Sequence, residues 1–108
     1  MNQIEKMSAR EAYAAYISGY VFVNVSENPT FKDKSLDVKH VLHIPYSQLK
    51  TRVAELPVNH SIVLVSAVGN KSKHAAKWLL QQGFEYVAVL DGGLRAWEAE
   101  GFPMQLQA

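Results

Sequence analysis

The residues best able to do chemistry stand together between an apolar run and a helical pattern: Ser66-Ala67-Val68-Gly69-Asn70-Lys71-Ser72. The preceding Ile62-Val63-Leu64-Val65 is apolar on both faces, as a central strand of a parallel sheet must be. The spacing behind the loop predicts a helix beginning near Ser72 that buries Ala75, Ala76, Leu79 and Leu80, exposes Lys73, Lys77 and Gln81, and stops at Gly83. A strand-to-helix transition of this kind brings loop N–H groups and a helix N-terminus to one point, the usual place for a ligand in an open α/β sheet. Gly69 and Asn70 both tolerate left-handed backbone, so successive N–H groups can turn inward as an anion cradle. Lys71, inside the loop, is the expected cation contact, while Lys73 and Lys77 read as the solvated face of the helix. As a serine nucleophile, Ser66 would need a positioned base, and no acid–histidine pairing can be read around it. His74, eight residues on, is the one nearby base. The simpler reading of Ser66 is a small polar residue hydrogen-bonded within the loop.

Composition narrows the chemistry further. The 108 residues contain no cysteine, which excludes a disulfide framework, a thiolate metal site, a CxxC redox motif and a cysteine nucleophile. A formal net charge of +1 makes no electrostatic case for nucleic acid or an anionic membrane. Hydrophobic residues make up 48% and charged ones 19%, which argues for a single packed domain over residues 1–108 rather than disorder. The strongest apolar run, Ile62 to Val65, is far short of the ~20 residues of a membrane span. Glu5, Lys6, Arg10 and Glu11 stand where a signal peptide would need its apolar core, so a cytoplasmic protein is expected.

His40 and His43 form an HxxH pair, but at strand spacing residues three apart point to opposite faces, and no third metal ligand accompanies them. Asp91-Gly92-Gly93 lacks the glycine spacing of a phosphate-binding GxxxxGKS loop and reads as a tight turn into the last helix. Trp78, Trp97 and Phe84 read as core or core-edge residues, whereas an exposed aromatic beside the loop would indicate a partner surface. Neither a metal nor a cofactor is expected.

The elements that must position this loop alternate in type. Ser8-Ala9-Arg10-Glu11 has capping-box spacing, and Ala12, Tyr13, Tyr16 and Ile17 follow at helical intervals up to Gly19. Tyr20 to Val25 reads as a buried strand, and Val41 to Ile44 as a short one ended by Pro45. Ser47 is a candidate cap for a helix presenting Leu49, Val53 and Leu56 on one face before Pro57. Tyr86 to Leu90 is a further strand, and a last helix carries Leu94 and Trp97 to the Gly101–Pro103 region. Residues 26–38 have no readable period. Strands alternating with helices predict an α/β fold with a mostly parallel sheet.

The segment from Ile62 to Pro103, together with VFVNV and HIPYSQL upstream, resembles a single-domain rhodanese along about 90 residues in order. The shared elements are the strand, the loop ending Gly-Asn-basic-Ser, the Ala-Ala-x-x-Leu helix, Gly-Phe, a strand to Leu-x-Gly-Gly, then Trp and Gly-x-Pro. The resemblance implies a rhodanese-like three-layer fold, a five-stranded mostly parallel sheet flanked by helices, with the loop wrapped around one pocket. It also implies sulfur transfer, in which a cysteine at the first loop position takes sulfane sulfur from thiosulfate and passes it on as a persulfide. Here that position is Ser66, which cannot carry a persulfide. Family loops commonly read Cys-Arg-Ser-Gly-Asn-Arg-Ser; Ala67 and Lys71 replace arginines here and Val68 replaces a hydroxyl. Asn24-Val25-Ser26 stands where the family usually has Asp-Val-Arg.

These departures lead to the expectation of a non-catalytic binding or regulatory module, with Gly69, Asn70, Lys71 and Ser72 lining an anion site, Ser66 at its base, Ala67 and Val68 completing the loop, and Arg95 at the rim. Its partners would be a small oxyanion or sulfur compound and another protein, with no nucleic acid or membrane and a monomeric state. Two alternatives remain open at this point. One is a different group transfer or hydrolysis using Ser66 or a bound water. The other is non-covalent carriage of a sulfur compound to a partner enzyme.

Overall fold

A computed structural model of the chain describes residues 4–27, 34–36, 41–57, 60–66, 70–102 and 104–106, with backbone alone at 34–36, 70 and 104–106. Strand β1 (Glu5–Met7) leads into helix α1 (Ala9–Ile17), then β2 (Val21–Asn24), β3 (Lys34–Leu36) and β4 (Val41–His43). A 3₁₀ turn (Tyr46–Gln48), the short helix α2 (Leu49–Arg52) and a second 3₁₀ turn (Val53–Glu55) precede β5 (Ile62–Val65). Helix α3 (Asn70–Gln81), β6 (Val87–Leu90), α4 (Gly93–Ala99) and β7 (Met104–Leu106) complete the order.

The main sheet runs β1-β6-β5-β2-β4, and every pairing in it is parallel. Alternation along the strands builds two cores. Val23, Ile62, Leu64, Val87 and Val89 share one core with Leu49, Ala75, Ala76 and Leu79 of α2 and α3. Phe22, Val63, Val65, Ala88 and Leu90 share the other with Ala12, Ala15, Leu94 and Trp97 of α1 and α4. All four side chains of β5 have 0% exposure, which is the burial on both faces that its apolar run requires. The fold is therefore the expected three-layer α/β sandwich: one parallel sheet between two helical layers.

Local signals explain most element ends. The capping box forms in both directions: Ser8 Oγ accepts from the Glu11 N–H at 3.1 Å, and the Glu11 carboxylate accepts from the Ser8 N–H at 2.9 Å. Ile17 departs from expectation. It is 73% exposed, because at ~100° per residue it lies about 140° around the helix from Ala12, off the buried Ala9-Ala12-Ala15 stripe. Ser47 does not cap a helix either. It sits inside the first 3₁₀ turn, where its N–H and hydroxyl both donate to the Glu27 carboxylate, at 2.8 and 3.0 Å. The expected single helix after it is broken into turn, helix and turn, although Leu49 and Leu56 are buried as expected and Val53 half-buried. The antiparallel pair β3–β7 joins residues about 70 apart, and no local pattern announced it.

Candidate functional site

The carboxyl ends of β2 and β5 meet the first turn of α4 at Ser66. The Val25 N–H donates to the Val65 carbonyl at 2.8 Å, and the Tyr46 N–H donates to the Val25 carbonyl at 3.0 Å. From the other side the Leu94 N–H donates to the Ser66 carbonyl at 2.9 Å, which ties α4 to the end of β5. Ser66 is 3% exposed and Ser72 is fully buried.

The two serines form the polar base of the site. The Ser66 hydroxyl accepts the Ser72 N–H and donates to Ser72 Oγ, each at 3.3 Å. Helix α3 begins at Asn70, earlier than the spacing suggested, so Lys71 and Ser72 belong to its first turn rather than to the loop. The physical reason lies in the orphan N–H groups of a helix's first turn. One of them is satisfied by Ser66 Oγ from across the loop, so the helix can start before Ser72. Whatever occupies the end of β5 is thereby aimed into the positive end of a helix of 12 residues.

The other expected site residues fall differently. Ala67, Val68 and Gly69 lie outside the described residues, and Asn70 is described by its backbone as the opening residue of α3. The Lys71 ammonium stands 5.7 Å from the centre of the Tyr46 ring, on the rim of the site. Arg95 is exposed on α4, next to the Leu94 that anchors to Ser66. His74 is exposed, with its ring centre 6.5 Å from that of Tyr46, and no hydrogen bond joins it to Ser66. His40 lies outside the described residues; His43 Nε2 approaches the Ser26 carbonyl at 3.3 Å. Among the described residues no group of three or more His, Cys, Asp or Glu could hold a metal ion.

Asn24-Val25-Ser26 carries a polarity the sequence did not explain. Asn24 and Ser26 are both buried, and Asn24 Oδ1 accepts the Ser26 N–H at 2.9 Å. Asn24 Nδ2 and Ser26 Oγ make no hydrogen bond, at a cost of about 1–3 kcal/mol for each such group.

Gly92 holds the turn that delivers α4. Its φ is +80°, and a Cβ built there would lie 2.7 Å from the Ala96 Cβ. Gly101 has a similar φ of +76° with open space around it. Gly101→Ala is expected to cost about 1–2 kcal/mol for left-handed geometry alone. Gly92→Ala should cost measurably more in parallel thermal melts, the difference being the clash with Ala96. Equal losses would remove the close approach as the reason for glycine.

Sequence reasoning placed His74 near the loop but missed Tyr46 as a rim residue. Tyr46 is 25 positions from Lys71, so no spacing rule joins them. The signal that could have found it was an aromatic directly after the proline that ends β4.

A model of the rhodanese-like domain matches residues 7–100. Over 99 residues the chain is 29% identical to the thiosulfate sulfurtransferase GlpE of Pseudomonas savastanoi, covering 92% of each protein. It is also 29% identical over 102 residues to rhodanese-like domain-containing protein 17 of Arabidopsis thaliana, and it spans 65% of that protein's length. The crystal structure of a rhodanese-related protein from Thermoplasma volcanium superimposes with a TM-score of 0.83 at 28% identity, over 95% of this chain and 99% of that one. With the matched domain spanning nearly its whole length, and with serine where the family carries its active-site cysteine, this chain belongs to the rhodanese-like domain family.

Proposed function

We propose that the chain is a non-catalytic rhodanese-like module that binds a small oxyanion or sulfur compound at the Ser66–Ser72 loop and acts through a protein partner. The observation that carries this reading is the Ser66 hydroxyl itself. It occupies the end of β5, hydrogen-bonded into the first turn of α3, in a chain with no cysteine to take its place. A serine hydroxyl stays protonated at neutral pH and cannot hold a persulfide, so the position retains a helix-end cradle without the nucleophile. A hydrolase reading would need a base on Ser66, and the Ser66 hydroxyl is engaged with Ser72 while His74 lies beside Tyr46.

Two measurements test the proposal. Thiosulfate:cyanide sulfurtransferase assays of the chain should give no turnover above buffer, and robust turnover would overturn the reading. Melting in millimolar sulfate, phosphate or thiosulfate should raise the midpoint, since a ligand held only by the folded state stabilises it by about 2.7 kcal/mol at a hundred times its Kd. No rise with any of the three would remove the anion cradle.

A further inference from the structure

We infer that the groove between α3 and the Tyr46–Arg52 segment is a docking site for an acidic peptide segment of a partner protein, anchored by one apolar side chain. The inference deepens the proposed module by naming its protein-binding surface and the partner's chemistry, and it rests on the domain working by binding.

The groove has a volume of about 250 Å³ and is lined by Tyr46, Ser47, Leu49, Lys50 and Trp78. Small-molecule sites usually measure about 300–1,000 Å³, so this one is sized for a single side chain. Its floor is apolar: Leu49 is buried, and Trp78 is half-buried with its ring packed on the α2–α3 core. A fitted apolar anchor surrounded by polar rim contacts is how interfaces concentrate their binding energy. The Ser47 wall is held in place by the Glu27 carboxylate, whose two oxygens are used by the Ser47 N–H and hydroxyl.

Charge decides the partner. Helix α3 carries Lys71, Lys73, His74 and Lys77 and no acid along its length. Lys71, His74 and Trp78, at i, i+3 and i+7, share the flank that faces Tyr46. Lys50 extends the positive rim on the other side of the groove. Arg52 is occupied by Glu55 at 2.8 Å, but among the described residues neither Lys50 nor Lys71 has a carboxylate partner. The whole chain carries only +1, so Lys50 and Lys71 at the groove, set against the Glu27 carboxylate whose oxygens Ser47 uses, are a local excess of positive charge rather than the sign of a basic protein. That combination selects a short acidic segment and gives no footprint for nucleic acid. Because Lys71 adjoins Ser72, an occupant of the groove would lie beside the Ser66 site.

The test uses three synthetic peptides, read by fluorescence anisotropy and amide chemical shifts: Glu-Asp-Glu-Leu-Asp-Glu-Asp, the same peptide with alanine for leucine, and a version with lysine at every acidic position. The first should bind, with shifts centred on Tyr46, Lys50, Lys71, His74 and Trp78, and the lysine peptide should not. Replacing the leucine should weaken binding about tenfold. Lys50→Glu, at an exposed position outside the Ser66 loop, should weaken it about tenfold with an unchanged melting midpoint. Tyr46→Ala, which removes the ring from the groove wall, should also weaken it. Equal binding of acidic and basic peptides, no binding, or shifts confined to another face would each overturn the inference. So would association with phosphatidylserine vesicles without peptide binding. The anion melts score the underlying module separately: a thiosulfate shift without peptide binding sinks the groove alone. Peptide binding without an anion shift keeps the groove and sinks the cradle.

Discussion

Ser66→Cys is expected to form a persulfide when the protein is incubated with thiosulfate, a change the native chain cannot make. The thiolate attacks the sulfane sulfur, the new S–S bond forms as the bond to the sulfonate sulfur breaks, and sulfite leaves with the electron pair. The introduced sulfur would sit at the end of β5 against the Ser72 N–H and the positive end of α3. Bringing a thiol from its ordinary ~8.5 to ~7 raises its ionised fraction at pH 7 from about 3% to about half. The spacing also suits it. The present 3.3 Å from the Ser72 nitrogen is long for an oxygen acceptor, whose bonds centre near ~2.9–3.0 Å, and leaves room for the larger atom. A pKa lowered in the folded state makes the thiolate stabilising above its unfolded value of ~8.5, a contribution lost as pH falls through the folded value. Intact mass should show one added sulfur, and cyanide should remove it as thiocyanate. A thiol that titrates at its ordinary value and takes up no sulfur would place the barrier to sulfur uptake in Ala67, Val68 and Lys71 rather than in Ser66.

Trp97→Ala is expected to be the most damaging single truncation, at about 3–5 kcal/mol. Trp97 has 0% exposure, and its ring centre lies 5.9 Å from Tyr13, 6.0 Å from Phe22 and 5.1 Å from Phe102. It therefore joins α1, β2, α4 and the chain leaving α4 in one aromatic cluster that cannot collapse around an alanine. Against a typical total of about 5–15 kcal/mol, such a loss leaves little margin. Each kcal/mol moves the melting midpoint of a domain near this size by about 4–8 °C. Trp78→Ala, at a half-buried ring, should cost clearly less in the same urea and thermal titrations. A Trp97→Ala loss below that of Trp78→Ala would mean the cluster does not knit the α1–α4 layer.

Most of the fold was legible because its elements are local and strongly patterned. Ile62–Val65 reads as a doubly buried strand and Ala75-Ala76-Leu79 as one buried helix face, and all seven side chains have 0% exposure. The capping box at Ser8 fixed the start of α1 from four consecutive residues. What escaped depended on partners distant in sequence. Serine favours a helix cap, yet at Ser47 it is Glu27, 20 positions away, that claims both donors. Helix α3 starts two residues before Ser72, because an acceptor for its first turn comes from Ser66, outside the helix.

The loss of the thiol is a statement the sequence makes unaided. Counting cysteines and aligning one loop suffice to exclude a cysteine persulfide on this chain, since folding cannot supply a thiol that the three methionine thioethers do not offer. Which polar groups meet was decided only in three dimensions. The Ser66–Ser72 bonds and the placing of Lys71 beside Tyr46 require a strand end, a helix start and a 3₁₀ turn to converge, and the parallel sheet alone brings them together.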